Sequence, residues 1–269
     1  MVARILFAHE RLVVVAKPAG VSLDTSRRDP HRAVARLLAA LPADERAGYG
    51  LVAESVQLVH RLDVGTSGVV VLARDEESHR DLVAAFAQRL VGKTYLALVW
   101  GCPRPRQGQW TAPLAPDRTD RRRMTVAAEG RPATTRYRVL HRARYVSLVA
   151  LEPSTGRTHQ LRVHLSHAGH PIVGDDLYGG PRHRGVKEAT LRQALTLARP
   201  LLHAARLHLP RTPSTPELVV TAPLPEDFAT TLAALGVPAA AWEGTDAADG
   251  GYNEERRYEH GHAHPHPPR

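Results

Sequence analysis

Apolar positions recur along this chain with two periods, and each change of period marks a new element. Residues 5–16 carry β-branched runs, densest at Leu12-Val13-Val14-Val15, which predict a strand pair closed by the turn Lys17-Pro18-Ala19-Gly20. Between residues 31 and 41 the apolar positions are 34, 37, 38 and 41, the spacing of one helix face. Residues 42–50 read as a loop. Residues 55–62 and 69–73 are strand-like and are separated by Asp63-Val64-Gly65-Thr66-Ser67-Gly68. Asp75 is placed to cap a helix reaching Leu90, with Glu76 and Glu77 in its first turn and an apolar stripe of Leu82, Val83, Phe86 and Leu90. Residues 94–100 predict a further strand.

In the second half, residues 103–116 hold four prolines and read as a loop. Residues 134–140 and 145–151 pattern as a hairpin. Ser154-Thr155 is placed to cap a helix over 157–168 that Gly169 ends. Residues 174–186 read as a Gly-rich surface stretch, and 218–221 as the last strand. Strands and helices mix without regular βαβ alternation, so the expected class is α+β. Past Leu235 the chain turns to Ala, Gly, Asp and Glu and closes on His260, His262, His264 and His266 among prolines. The expected organisation is one domain over 1–235 and a disordered His/Pro-rich tail over 236–269.

Composition narrows the function. Of 269 residues, 43% are apolar, and no run approaches the ~18 that a membrane span needs. Arg4, His9, Glu10 and Arg11 break the N-terminal apolar stretch, so no signal peptide is expected and the cytoplasm is. The single cysteine, Cys102, excludes an internal disulfide and a cysteine-built zinc site. The net charge of +9 attracts polyanions, and arginine far outnumbers Lys17, Lys93 and Lys187. Genome composition can set that ratio; the net charge is the stronger pointer to nucleic acid. From Arg118 to Arg144, nine arginines face only Asp120 and Glu129, densest at Arg121-Arg122-Arg123.

The segment with chemistry in it is His60-Arg61-Leu62-Asp63-Val64-Gly65-Thr66-Ser67-Gly68. An acidic residue leaves a strand and small residues allow a tight turn into the next. Alone, Asp63 reads as a turn residue bonding its own backbone. Ser67 is not in a nucleophile elbow, because only Thr66 separates it from Gly65. Phosphate-loop and dinucleotide fingerprints are absent.

This segment resembles the signature of the RluA-type family of RNA pseudouridine synthases, H-R-L-D-x-x-T-S-G followed by an apolar strand. Further similar stretches follow in order: Val14 to Gly20, Lys93-Thr94-Tyr95, Thr155 to Leu165, Gly169 to Ile172, Gly174-Asp175, and Leu202-His203-Ala204. The resemblance covers residues 5–228. It departs at Ser22-Leu23-Asp24-Thr25, in the 103–116 loop and after Leu235, which bears on the RNA target rather than the reaction. It implies a mainly antiparallel sheet in two halves, with Asp63 on the floor of a central cleft. It also implies isomerisation of uridine to pseudouridine in ribosomal or transfer RNA. No redox step or energy input is needed, so no cofactor is expected. One carboxylate suffices, by attack on the sugar or by glycal formation.

By resemblance, Asp63 is the catalytic carboxylate. Tyr95 stacks on uracil and offers a hydroxyl as proton acceptor. Arg162, off the helix side formed by Leu161, His164, Leu165 and Ala168, pairs with Asp63. Arg61 fills the space a flipped-out base leaves. His60, Thr66 and Leu161 complete the expected substrate-binding set, His60 chiefly as a support of the turn. His159, His164, His167 and His170 overlap the motif of a family that uses no metal, so none is expected. The pattern starts near residue 5, so no S4-like RNA-binding domain is expected ahead of it. RNA binding is then expected from a monomeric catalytic domain, helped by Arg118–Arg144. Two rivals stand beside this reading. One is a catalytically silent RNA-binding or RNA-folding factor of the same fold; the other is a hydrolase using a Ser or His cluster.

Overall fold

The computed structural model of the chain describes residues 2–25, 29 and 31–243. In chain order they form β1 (Arg4–Ala8), β2 (Leu12–Lys17), α1 (Arg32–Ala39), α2 (Ala43–Gly48), β3 (Gln57–Leu58), β4 (Ser67–Ala73), α3 (Glu76–Ala87), β5 (Gly92–Trp100), β6 (Gln107–Thr111), β7 (Leu114–Pro116), β8 (Met124–Val126), β9 (Thr134–Arg142), β10 (Val146–Pro153), α4 (Gln160–His167), α5 (Ala189–Ala194), β11 (Leu202–Leu209), β12 (Leu218–Thr221) and α6 (Glu226–Ala234). The class is α+β. A ten-stranded sheet runs β1-β2-β4-β11-β5-β10-β9-β6, with β12 beside β11 and β3 beside β4; β7 and β8 make a second, small sheet. Every pairing is antiparallel except β4 with β11.

The continuous apolar runs of β2 and β4 follow from burial on both faces. Val13, Val15, Val70 and Leu72 point into one core with α1's Val34 and Leu37. Leu12, Val14, Val69 and Val71 point into another, roofed by Leu82 and Ala85 of α3. In the other half of the sheet, Ala97, Val99, Val149 and Leu151 pack against Leu161 and Leu165 of α4. Tyr95 touches both the first and the last of these cores.

The halves meet where β4 and β11 run parallel for two residue pairs, Ser67 with His203 and Gly68 with Ala204. Gly68 sits at φ +123°, and a Cβ there would lie 2.2 Å from the Ala204 carbonyl oxygen. Only glycine permits that approach. Beside it Ser67 Oγ donates to His203 Nδ1 at 3.0 Å, while His203 Nε2 donates to the Ala222 carbonyl at 3.3 Å.

Several expectations need correction. β3 is two residues long because His60 to Thr66 leave the ladder to form the Asp63 loop. In α3, capped by Asp75 as expected (Ser78 N donates to its Oδ1 at 2.9 Å), the buried residues are Ser78, Leu82 and Ala85; Val83 and Leu90 are exposed. Ser154-Thr155 does not cap α4: His159 is the N-cap residue, and Thr155 Oγ1 instead donates to Gln160 Oε1 at 2.7 Å. Parts of the 42–50 and 103–116 loops are α2, β6 and β7. Packing continues past the expected boundary at 235, since Val237 is buried. Residues 2–238 belong to one compact unit; of a second, 239–269, the described part contains the short turn Ala239–Ala241. The remaining residues of the expected tail, 244–269, lie outside the described residues.

Burial pushes His203 down to about 4. Burial, with Lys93 nearby, pushes His60 to about 3. Both rings are neutral when folded, so the unfolded chain takes up protons first as pH falls below ~6.5. Thermal stability should therefore be full above pH ~6.5 and decline towards pH 4, and His203→Gln should flatten part of that decline. A melting midpoint constant across this window would contradict the buried neutral rings.

Candidate active site

The Asp63 loop leaves β3 and enters β4 at the junction between the sheet halves. Its turn closes where Thr66 N donates to Asp63 O at 3.0 Å. Lys17, at the end of β2 and 1% exposed, lies beneath it. Its ammonium donates to the carbonyls of Pro18 and Val21, both at 2.9 Å, and of Val64 at 3.4 Å. One buried cation thus ties the 17–21 turn to the Asp63 loop. Burial lowers Lys17 to about 8, against the opposing pull of Asp63. From the other side Arg199, held by Asp227 through two bonds of 2.6 Å, donates to Gly65 O at 3.3 Å.

Asp63 is 28% exposed. Its Oδ2 lies 3.6 Å from Arg162 Nη1 and 3.9 Å from His159 Nε2. Both distances are longer than a hydrogen bond, and among the described residues neither carboxylate oxygen of Asp63 accepts one. Arg162 has a second and closer partner: Nε and Nη2 donate to the two oxygens of Asp175 at 2.7 and 2.8 Å. Burial works against the Arg162 cation, but its bonds to Asp175, with the charges of Asp175 and Asp63, hold its pKa above the ordinary guanidinium value. α4 buries Gln160 through Leu165 without a break, so Arg162 is internal and not on an exposed strip.

An open cleft of about 140 Å³ is lined by Arg61, Asp63, Thr66, Tyr95, Leu161 and Arg162 among others. All the expected site residues converge here except His60. That ring is stacked on Phe86 with centroids 4.6 Å apart, and its Nε2 accepts from Val71 N at 3.1 Å. It props up β4, in line with the expected support of the turn, and does not line this cleft. Tyr95 is pushed well above the ordinary phenol value by burial and by the charge of Asp63. It is therefore a neutral phenol, and it lines the cleft. Arg61 donates to Asp24 Oδ1 at 3.1 Å in an exposed pair. His164 spends its nitrogens on Thr135 Oγ1 and the Ala112 carbonyl, at 2.9 and 3.1 Å.

Sequence reasoning gave no role to Lys17, His159, Asp175, Tyr178 or Arg199. Asp175 entered the sequence reading only within the family-like pair Gly174-Asp175, without a role, and Tyr178 lay in a stretch that patterned as Gly-rich surface. Asp175 is in fact buried, in a turn where Gly174 (φ +78°) passes so close to Arg199 that a Cβ would lie 2.0 Å from its carbonyl oxygen.

A family model described as RNA pseudouridylate synthase matches residues 11–167, more than half of the chain. The chain belongs to the RNA pseudouridylate synthase family. An uncharacterised RNA pseudouridine synthase of Chloroflexus aurantiacus is 42% identical over 212 residues, 79% of this chain and 63% of that protein. The chain thus spans less than two thirds of that relative. The dual-specificity RNA pseudouridine synthase RluA of Escherichia coli is 38% identical over 202 residues, 73% of this chain and 87% of that protein. The solved structure of human RNA pseudouridylate synthase domain containing 4 aligns with a TM-score of 0.66 at 29% identity, covering 86% of this chain and 92% of that one. The match to the RNA pseudouridylate synthase family takes in Asp63, Tyr95 and Arg162; Asp175, Tyr178 and Arg199 follow its end.

Thr66 Oγ1 is buried at the cleft without a hydrogen-bond partner among the described residues. An unsatisfied buried hydroxyl costs about 1–3 kcal/mol. Thr66→Val keeps the shape and removes the hydroxyl, so its melting midpoint should equal or exceed the native one. A clear fall would mean that the hydroxyl is bonded in the free protein.

Proposed function

We propose that this protein isomerises uridine to pseudouridine in structured ribosomal or transfer RNA, with Asp63 as the working carboxylate. The observation carrying this reading is the placement of Asp63: its carboxylate lies beside Arg162 and His159, 3.6 and 3.9 Å from Oδ2 and hydrogen-bonded to neither, in a cleft shared with Tyr95 and Thr66. The bond from uracil N1 to ribose C1′ breaks with its electrons leaving on the base. The carboxylate offsets the charge developing at the sugar, by covalent attack or by acting on a glycal route. Uracil then turns, C5 bonds to C1′, the C5 proton leaves and N1 gains one. The ledger closes without an oxidant, reductant or cofactor.

In this reading the Tyr95 ring stacks on uracil and Leu161 provides an apolar wall. Thr66 Oγ1 finds in the substrate the partner it otherwise lacks. Arg61 leaves Asp24 and fills the gap in the RNA stack when the base flips out; an exposed pair is worth only about 0–1 kcal/mol, so it releases at little cost. The same holds for the basic run, where Arg118, Arg122 and Arg144 rest on Glu129, Asp120 and Glu188 at the surface and can exchange them for phosphate. The names of the relatives support RNA as the partner. RNA of this kind supports the cytoplasm as the location, and no helix among the described residues is long and apolar enough to cross a membrane. One chain supplies every group invoked, which supports a monomer.

The test is tritium release from RNA labelled at uridine C5, taken from cells lacking this protein. The native protein should release tritium and Asp63→Asn should be slower by about a thousandfold or more. Thr66→Val, though as stable as the native protein, should lose about tenfold, the worth of one hydrogen bond to substrate. Equal release by native protein and Asp63→Asn would overturn the role of Asp63. Binding without release would favour the silent RNA-binding factor.

A further inference from the structure

His159 stands at φ +55°, in the left-handed region that few non-glycine residues adopt, Asn, Asp and His being the commoner exceptions. As the N-cap residue of α4 it makes no capping hydrogen bond, so the helix does not require an imidazole there. The contacts of His159 lie on its ring. His159 Nδ1 is 2.8 Å from Tyr178 Oη, with the two rings edge to face at 5.6 Å. Tyr178 Oη already accepts from Met124 N at 2.8 Å, and burial holds this phenol above its ordinary value. With Met124 N already on Tyr178 Oη, the phenol has its own proton to give to Nδ1, and a neutral His159 accepting it carries its proton on Nε2. That nitrogen faces Asp63 Oδ2 at 3.9 Å, long for a hydrogen bond at rest and within reach of one after a small shift.

A parallel arrangement holds the other neighbour of Oδ2. Asp175 orients Arg162 through two hydrogen bonds, and Tyr178 N donates back to Asp175 Oδ1 at 3.3 Å. The Arg162 guanidinium also lies 4.9 Å from the centre of the Tyr178 ring. One turn, 175–178, thus sets both donors aimed at one carboxylate oxygen. Burial lowers His159 below its ordinary value, with Arg162 and Arg61 adding to this and Asp63 and Asp175 opposing it.

We propose, on the reading of Asp63 given above, that His159 is a positioning residue: Tyr178 fixes its tautomer so that Nε2–H, together with Arg162, occupies Asp63 Oδ2 and turns Oδ1 to the substrate. His159 acts through Asp63 and touches no reacting atom. The required readouts are rate at saturating RNA, RNA affinity and the protonation of the ring itself.

His159→Gly removes the ring while relieving the left-handed backbone, so it should fold at least as well as the native protein. Its single-turnover tritium release at saturating RNA should fall about tenfold or more, the loss of one hydrogen bond in the transition state, with RNA affinity within twofold of native. Tyr178→Phe should lose rate in the same way. His159→Gln, whose amide nitrogen can stand near the position of Nε2, should recover much of the loss. In ¹⁵N-histidine spectra the His159 signals, identified by their absence in His159→Gln, should report a bare Nδ1 and a protonated Nε2, with that preference lost in Tyr178→Phe. A native rate in His159→Gly, or a defect confined to RNA affinity, would overturn the proposal. Should native protein release no tritium from any RNA, the reading of Asp63 fails on its own. The spectra then decide the Tyr178–His159 assignment, and a proton on Nδ1 would sink it.

Discussion

The arrangement turns on one guanidinium. Arg162, 10% exposed, is gripped on one side by Asp175, 1% exposed, and faces Asp63 on the other. Taking such charges from water costs several kcal/mol per ion, and a buried pair does not by itself make a protein more stable than an apolar replacement would. What it does supply is direction. Two hydrogen bonds to Asp175 use one edge of the planar fork, leaving Nη1 nearest Asp63. Because Asp175 takes the stronger bonds, Asp63 stays near a cation without being fully paired to it. A carboxylate neutralised by a bidentate partner would have no oxygen left to offer.

The backbone delivers Asp63 to that point through the junction of the two sheet halves. β4 and β11 pair in parallel for two residues only, so the halves part immediately beyond Gly68 and the loop before it sits in the gap. Lys17 fixes the loop from β2 and Arg199 from the segment before β11. Arg199 also backs Gly174, which begins the turn holding Asp175 and Tyr178. The loop bearing the carboxylate and the turn orienting its neighbours therefore lean on the same residue.

How much of this was legible depended on where each residue's partners lie. β2 and β4 announce themselves by continuous β-branched runs, and the hairpin of β9 and β10 by its local pattern. β6, with Gln107, Gly108 and Gln109, is an exposed edge strand and carries no apolar signal. β11 mixes His203, Ala204, Ala205 and His208 with leucines, and its burial on both faces erases alternation. The patterned motif delivered Asp63, Tyr95, Thr66, Leu161 and Arg162, which the cleft does bring together. It did not show how deeply Arg162 is buried, because burial of all of α4's first six residues is decided by elements distant in sequence. Asp175, 13 residues from Arg162, and Lys17, 47 from Val64, are joined to their partners only by the fold. The run of arginines gave the right surface charge, but not that Asp120, Glu129 and Glu188 already engage three of them.

In this arrangement the action of Asp175 on Asp63 runs chiefly through Arg162. That route is tested most directly by a double-mutant cycle on the single-turnover rate, using Arg162→Lys, Asp175→Asn and the double variant, with folding of each checked by its melting midpoint. A lysine cannot reproduce the fork, so once it is present the loss of Asp175 should matter little: the double variant should be about as slow as the slower single one. Independent, additive losses would mean that Asp175 serves the site by another route, and the account built on the shared guanidinium would be wrong.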